Sequence, residues 1–200
     1  MQIRQLTIPD AYEITPTIIR DDRGAFLEWY RFDRLAEYVG HPLDLRQANT
    51  SVSKRGVLRG IHYADVPRGQ AKYVTVTHGS VIDYVVDLRV GSATFGSWDS
   101  VVLDDVDRRA IYIAEGLGHA FLALSDDAVV SYLVSDTYNP SAERAINPRD
   151  PEVALQLPIA DPELIISAKD LDAPSLHESR DAGFLPAFPA VKAFYESLAV

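Results

Sequence analysis

Cysteine is absent from this 200-residue chain, and methionine occurs once. Without cysteine, a disulfide framework, a thiolate metal site and a cysteine nucleophile are all excluded. No apolar run approaches the roughly 20 residues that a membrane-spanning helix needs, and the N-terminus shows no apolar signal-peptide block. We therefore expect a cytoplasmic protein that does not insert into a membrane.

Basic residues are in the minority. Lys and Arg together number 19 against 29 Asp and Glu, which gives a net charge of -10. Nucleic-acid phosphates need a basic footprint, so we expect no nucleic-acid partner. A small phosphorylated ligand is compatible with this charge if a few Arg and Lys side chains gather in one cleft. Gly-rich phosphate loops and Gly-x-Ser-x-Gly elbows are missing, which argues against nucleotide-loop enzymes and elbow hydrolases.

Closely spaced histidine pairs are also missing. The five histidines lie far apart in the chain, at His41, His62, His78, His119 and His177. Small β-barrels that bind a metal use such a pair together with a carboxylate and a later histidine. We therefore expect no metal in this protein.

The chain from Ile3 to about Val134 is rich in short β-type segments separated by Gly, Pro, Asp and Asn. Many strands at regular spacing are typical of a sandwich, jelly roll or barrel. Residues 73–77 and 81–86 flank Gly79 and predict two strands joined by a short connection. Further strands are predicted at 98–103, 110–113, 120–124 and 129–134.

Three helices are predicted beside these strands. The first ends at Gly40 and Pro42, and its apolar face consists of Phe32, Leu35, Ala36 and Val39. A second helix opens at Pro174 and closes at Gly183, and a third covers 190–198. We expect a single domain over residues 1–200, with a β-body to about 158 and a helical segment packed on it from about 159.

The stretch Arg59-Gly60-Ile61-His62-Tyr63 is the most informative part of the sequence. In a regular strand, Arg59 and His62 face opposite sides. A glycine bulge at Gly60 re-aims one of the two side chains. A lone histidine in a strand is usually structural, so this stretch alone does not define a site.

Other residues with useful chemistry look ordinary when taken singly. Lys72 opens an apolar strand, where it is either a solvated strand end or an inward cation that needs an anion. His119 follows a turn at Gly118, and strand tyrosines such as Tyr132 are common packing residues. Residues 167–170, Ser-Ala-Lys-Asp, read as a loop before the C-terminal helices.

Taken in order, the segments of the chain from about Ile14 to Pro186 resemble the dTDP-4-dehydrorhamnose 3,5-epimerase family, whose members act on dTDP-4-keto-6-deoxysugars. Each segment is weakly specific alone, whereas the whole ordered set is highly specific. The set comprises residues 22–28 (DRGAFLE), 46–49 (RQAN), 57–63 (VLRGIHY), 70–74 (QAKYV), 87–89 (DLR), 95–98 (FGSW), 118–121 (GHAF), 138–140 (YNP) with Glu143, and 167–170 (SAKD).

The resemblance implies a mainly β protein, a cupin-type jelly-roll β-barrel with short C-terminal helices. It implies no metal and no cofactor, a dTDP-linked 4-keto-6-deoxysugar as substrate, and a homodimer that exchanges the strand from Arg23 to Glu28. By matching positions, His62 is similar to the family's base, Asp170 to its partner, Tyr132 to the acid and Lys72 to the group facing the keto oxygen. The matching nucleotide- and sugar-binding positions are Arg23, Phe26, Glu28, Gln47, Asn49, Arg59, His119, Tyr138, Glu143 and Lys169.

The chemistry of such a substrate suits these residue types. A 4-keto group acidifies the C–H bonds at C3 and C5, and removal of either proton places negative charge on the keto oxygen. A cation aimed at that oxygen stabilises the enolate, a histidine is a suitable base near neutral pH, and a tyrosine is a neutral proton donor for the opposite face.

The sequence departs from the family pattern at Arg144, where histidine is frequent, and at Gln156-Leu157-Pro158. Residues 61–63 and 65–67 resemble members that make antibiotic deoxysugars, some of which invert only one carbon. Inversion at both C3 and C5 is therefore the leading hypothesis, and inversion at one carbon the first alternative. A non-catalytic binder of sugar nucleotides and an iron-dependent dioxygenase of cupin type are the more remote alternatives.

Overall fold

The computed structural model describes residues 1–199. Fourteen strands account for most of the fold, and their bounds are β1 Gln2–Gln5, β2 Ala11–Thr15, β3 Ile19–Asp21, β4 Gly24–Phe26, β5 Gln47–Ser53, β6 Val57–Ala64, β7 Lys72–His78, β8 Ser80–Asp87, β9 Trp98–Asp104, β10 Ala110–Ile113, β11 Leu117–Ala123, β12 Ala128–Val134, β13 Glu143–Ala145 and β14 Ile165–Ile166. The helices are α1 Phe32–Val39, α2 Ala168–Leu171, α3 Leu176–Asp181 and α4 Phe188–Leu198, with a 3₁₀ turn at Asp161–Glu163. No helix of this described part is long and apolar enough to cross a membrane.

The strands form two six-stranded sheets. The first has the order β1-β2-β10-β7-β12-β5, and the second has β13-β6-β11-β8-β9 with β14 added parallel to β6. All other ladders are antiparallel, and the chain passes repeatedly from one sheet to the other between β5 and β12. This is a jelly-roll arrangement with short helices at its C-terminal end. The mainly β fold predicted from the sequence is confirmed.

The strand pattern shows why the two sheets pack together. Strand β7 buries its first five residues, and every residue of β11 is buried. The turn at Gly79 does join two strands, as predicted, but β7 and β8 do not pair with each other. Strand β7 pairs with β10 and β12, whereas β8 pairs with β9 and β11. Gly79 therefore carries the chain across the barrel from one sheet to the other.

The helices end where the local sequence predicts. Helix α1 stops at Gly40, whose positive φ of 89° lets its amide bond the carbonyl of Ala36. Helix α3 begins with a capping box between Ser175 and Glu178. Helix α4 buries Val191 next to Gly116, which precedes β11. Its Tyr195 hydroxyl donates a hydrogen bond to the carbonyl of Glu115, which connects α4 to the barrel.

A separate hairpin lies outside both sheets. Strands β3 and β4 pair only with each other within the described chain, and all six of their residues are exposed. Ile19 is 60% and Phe26 63% exposed, which are large values for apolar side chains. The hairpin therefore shows apolar surface that this chain does not cover.

Arg89 connects three parts of the fold from a fully buried position. Its guanidinium binds Asp87 through two hydrogen bonds of 2.8 and 2.9 Å and reaches Asp10 at 2.5 Å. The ring of Phe188, at the start of α4, lies 5.3 Å from the guanidinium carbon. The turn between β1 and β2, the end of β8 and the last helix thus share one buried cation.

We expect Arg89→Met to lower the free energy of unfolding by about 3–5 kcal/mol, because the carboxylate of Asp87 then stays buried without its partner. Equilibrium denaturation in urea measures this loss. The matched control is Arg34→Ala, which removes an exposed pair with Glu37 and should cost no more than about 1 kcal/mol. Equal losses for the two variants would contradict the assigned role of Arg89.

Candidate active site

A β-bulge in β6 sets the direction of the candidate base. In the ladder with β11, His62 pairs with His119 and Arg59 pairs with Phe121, so three steps on β6 match two steps on β11. The extra residue lies at Gly60, where φ is +112° and an added Cβ would lie 2.5 Å from the carbonyl oxygen of His119. The bulge expected from the sequence is therefore present, and a side chain at position 60 would clash with β11.

His62 and Asp170 form a close pair. The Nε2 atom of His62 lies 2.7 Å from Oδ1 of Asp170, and the carboxylate is buried whereas the imidazole is partly open. Ser167 caps the short helix α2 by accepting a hydrogen bond from the Asp170 amide, which fixes the carboxylate in place. Burial opposes the charge of Asp170, but hydrogen bonds from His62 and Ser167 hold its pKa below the usual value. Asp170 thus stays ionised and orients the imidazole.

Lys72 carries its charge inside the barrel. The side chain is buried, and no carboxylate oxygen of residues 1–199 lies within salt-bridge distance of its ammonium. Burial lowers the pKa of Lys72, while the more distant carboxylates of Glu143, Asp83 and Glu115 act in the opposite direction. Within residues 1–199 the Lys72 side chain therefore has no close anionic partner and is available to a ligand oxygen.

Asp83 and His119 lie beside Lys72 in the barrel interior. Nε2 of His119 is 2.8 Å from Oδ2 of Asp83, and the second oxygen of Asp83 has no hydrogen-bond partner in the described chain. Burial raises the pKa of Asp83, and the nearby His119 and Lys72 oppose that rise. Asp83 and His119 thus form a buried polar pair close to Lys72.

Tyr132 projects from β12 of the opposite sheet. It is partly buried, and its hydroxyl takes part in no hydrogen bond within residues 1–199. Burial raises the pKa of Tyr132, Arg59 lowers it, and Glu143 raises it further. The phenol is therefore neutral near pH 7 and can donate a proton.

Two adjoining cavities open beside these groups. The first, which we call the central cavity, has a volume of about 490 Å³ and is lined by Gln47, Asn49, His62, Gln70, Lys72, Tyr132, Tyr138, Glu143, Arg144, Ala145 and Lys169. The second, which we call the side cavity, has a volume of about 380 Å³ and is lined by Val57, Leu58, Arg59, His62, Ile165, Ile166, Ser167, Lys169 and Asp170. His62 and Lys169 border both, so one ligand of sugar-nucleotide size can extend through the two.

The structure brings most of the predicted site residues to these two cavities, with four exceptions. His119 lines neither cavity and instead contacts Asp83. Arg23, Phe26 and Glu28 also line neither cavity. Arg23 binds Asp21 and Glu28 binds Arg31, both on the exposed face of the hairpin region. These three residues do not reach the cavities of their own chain.

Several residues near the site were not predicted as part of it. Gln70, Arg144 and Ala145 line the central cavity, and Asp83 lies behind it. An acidic residue within the apolar strand segment 81–86 was the available signal for Asp83. Arg144 binds Asp65 through two hydrogen bonds of 3.0 and 2.8 Å, and this partner follows from the register of β13 with β6. In residues 1–199, no group of three or more His, Asp and Glu side chains is arranged to hold a metal ion.

The arrangement joins a histidine base, a buried ammonium and a neutral phenol around one cavity in a jelly-roll barrel. Such a set defines an enzyme that moves protons on a bound ligand and stabilises an oxyanion.

Comparison with known proteins identifies the family. The family model for dTDP-4-dehydrorhamnose 3,5-epimerase matches residues 5–178. A dTDP-4-dehydrorhamnose 3-epimerase of Streptomyces niveus is 54% identical over 193 residues, 96% of this chain and 92% of that protein. A dTDP-4-dehydrorhamnose 3,5-epimerase of Mycolicibacterium smegmatis is also 54% identical, over 99% of this chain and 97% of that protein.

A solved structure agrees with these sequence matches. An epimerase of Mycobacterium tuberculosis superposes with a TM-score of 0.97 at 50% identity, covering 99% of this chain and 100% of that chain. The chain therefore belongs to the dTDP-4-dehydrorhamnose 3,5-epimerase family and is an isomerase. The resemblance, the enzyme class and the cupin-type barrel predicted from the sequence are confirmed.

Proposed function

We propose that this enzyme inverts C3 and C5 of a dTDP-4-keto-6-deoxyhexose by removing and returning protons through an enolate. Membership of the family supports the substrate class. The observation that carries the mechanism is the meeting of His62, Lys72 and Tyr132 at one cavity. The remaining steps follow from the chemistry of these three groups.

His62 removes the proton beside the keto group. Its Nε2 is occupied by Asp170 at 2.7 Å, so Nδ1 is the atom left for the substrate. The carboxylate sets the tautomer and stabilises the imidazolium that forms, as a carboxylate does for the histidine of a hydrolase triad. Asp170 is therefore the positioning residue of the base.

Lys72 stabilises the enolate. When the C–H bond breaks, charge moves to the keto oxygen, and a preorganised ammonium in a poorly solvated barrel is most effective there. No carboxylate of the described residues forms a close ion pair with Lys72, so its ammonium can contact the oxyanion.

Tyr132 returns a proton to the opposite face of the ring. It lies on β12 of the first sheet, whereas His62 lies on β6 of the second, so a sugar between them meets the two groups from different sides. Its raised pKa keeps the phenol protonated until it transfers its proton to the enolate carbon.

The diphosphate of the sugar nucleotide is negatively charged, so its binding site in this acidic protein needs basic side chains. Arg59 and Lys169 border the side cavity and suit a diphosphate. Gln47, Asn49 and Glu143 offer hydrogen bonds in the central cavity, and the half-exposed ring of Tyr138 offers a stacking surface.

Inversion at C3 alone is the second candidate. One relative that is 54% identical is a 3-epimerase, and another at 54% is a 3,5-epimerase, so overall identity does not separate the two outcomes. The proposed catalytic set is the same for both.

We also propose a homodimer in which the β3–β4 hairpin enters the site of the second copy. The hairpin exposes Ile19 and Phe26 and pairs with no other strand of residues 1–199. Arg23 has 90% of its side chain exposed and is a suitable phosphate ligand for a neighbour. The cytoplasmic location expected from the sequence stays a prediction.

Incubation with dTDP-4-keto-6-deoxyglucose in deuterated water should place deuterium at C3 and C5. We expect His62→Ala and Asp170→Asn to lose about 100-fold or more of this exchange, because they remove or misorient the base. NMR of the product locates the label, and titration with dTDP checks that binding is retained. Label at C3 only would favour the second candidate, and no label in the wild type would refute epimerisation of this substrate.

Lys72 should impose an alkaline limit on activity. Its pKa is lowered by burial, so the ammonium loses its proton at a lower pH than free lysine, and kcat/KM should fall as the pH rises through that point. Lys72→Arg should shift this limit upward, because a guanidinium stays charged. Tyr132→Phe tests whether ionisation of Tyr132 is instead the source of the alkaline limit. An unchanged alkaline limit in Lys72→Arg would argue against the role of Lys72.

Mixing two inactive variants tests the exchanged hairpin. Random reassembly of Arg23→Ala with His62→Ala makes half of the dimers mixed, and each mixed dimer has one intact site. About a quarter of the wild-type activity should return after mixing. A monomer in light scattering, or no recovery in dimers shown to have exchanged, would overturn the hairpin proposal.

A further inference from the structure

The proposed mechanism leaves the enzyme in the wrong protonation state after each inversion. His62 gains a proton from the carbon, and Tyr132 gives one to the carbon, so the site ends with an imidazolium and a phenolate. In a glucose-configured ring the C3 and C5 hydrogens are axial on the same face. The second inversion therefore needs the same base and the same acid, with His62 neutral again and Tyr132 protonated again.

Glu143 is placed to restore the acid. It is the one carboxylate that lines the central cavity within residues 1–199. Nothing in that described part donates a hydrogen bond to this carboxylate, and no cation lies within 4 Å of it. Its charge acts on both Tyr132 and Lys72, so the carboxylate lies within electrostatic reach of the phenol and the ammonium.

Glu143 also borders a third cavity. This loop cavity, of about 310 Å³, lies between the loop that follows β6 and the loop that follows β12, and Asp65, Arg68, Gln70, Asp136 and Glu143 are among its lining residues. Gln70 and Glu143 line both the loop cavity and the central cavity. Glu143 thus has polar, open space on one side and the reacting groups on the other.

The other charged groups around Tyr132 are unsuited to this task. Arg59 does not release its proton. Lys72 must keep its proton to stabilise the enolate of the next inversion, and Asp170 is bonded to His62. A carboxylic acid is a stronger acid than a phenol, so a proton on a carboxylate passes downhill to a phenolate.

We propose that Glu143 relays a proton from water in the loop cavity to the Tyr132 phenolate after each inversion. The carboxylate of Glu143 first accepts a proton from a hydronium ion. This new O–H bond then breaks as the O–H bond of Tyr132 forms, and the carboxylate is regenerated. The imidazolium of His62 gives its proton to water, which restores the base and balances the charge.

This inference rests on the proposed function and bears on the number of carbons inverted. If the acid is restored before the singly inverted sugar leaves, the second carbon is inverted in the same visit. If the sugar leaves first, the product is inverted at one carbon. Glu143 acts through Tyr132, so it is a positioning residue for proton return and not the donor to carbon.

Rapid-quench kinetics of Glu143→Gln with excess substrate tests the proposal. We expect a burst of about one inversion per site, followed by a steady state slowed at least about ten-fold more than the burst itself. The wild type should show no burst. Added acetate should restore the steady state of the variant, because a small acid can enter through the loop cavity, and Glu143→Asp should show a weaker defect because it keeps a carboxylate.

Asp136→Asn is the matched control, since Asp136 lines the loop cavity but not the central cavity. It should show no burst. Equal slowing of the first and later turnovers in Glu143→Gln, without rescue by acetate, would overturn the inference and leave Glu143 a binding residue. Failure of the proposed function looks different, because the wild type then incorporates no deuterium at all.

Discussion

The burial of one positive charge organises the interior of this barrel. Lys72 projects from β7 of the first sheet. The carboxylates of Asp83, Glu115 and Glu143, on surrounding strands and loops, oppose the lowering of its pKa by burial. None of them, within residues 1–199, forms a direct ion pair with Lys72. A buried ammonium with no anion nearby would be too costly to keep. A carboxylate in close contact with the Lys72 ammonium would compete with the ligand oxygen for it. The intermediate arrangement keeps the charge stable in the fold and available to an enolate.

Much of the fold and part of the site could be predicted from local sequence. Strand positions follow from alternation, α1 ends at its glycine, and the tension between Arg59 and His62 leads directly to a bulge at Gly60. The two strands predicted on either side of Gly79 are present, but local spacing does not specify which strands pair, so the crossing between the two sheets could not be predicted.

The rest of the site depends on contacts between distant segments. Asp83 contacts His119, and Arg144 contacts Asp65. The register of the strand ladders brings these partners close, and the local sequence does not reveal it. Glu143 was predicted as a sugar-binding position, but its place between two cavities is a property of two loops that meet in space. Resemblance to a family supplied the candidate residues, whereas the three-dimensional structure relates them to one another.

His62 and Asp170 are 108 positions apart in the chain. Two local contacts position Asp170 against its partner, because β14 pairs with β6 and Ser167 caps α2. A ribosome releases the chain from its N-terminus, so the barrel strands emerge well before the residue that orients the base. A chain synthesised only as far as residue 164 therefore contains His62 but neither β14 nor the carboxylate that orients the imidazole. The orientation of the base depends on the C-terminal part of the chain.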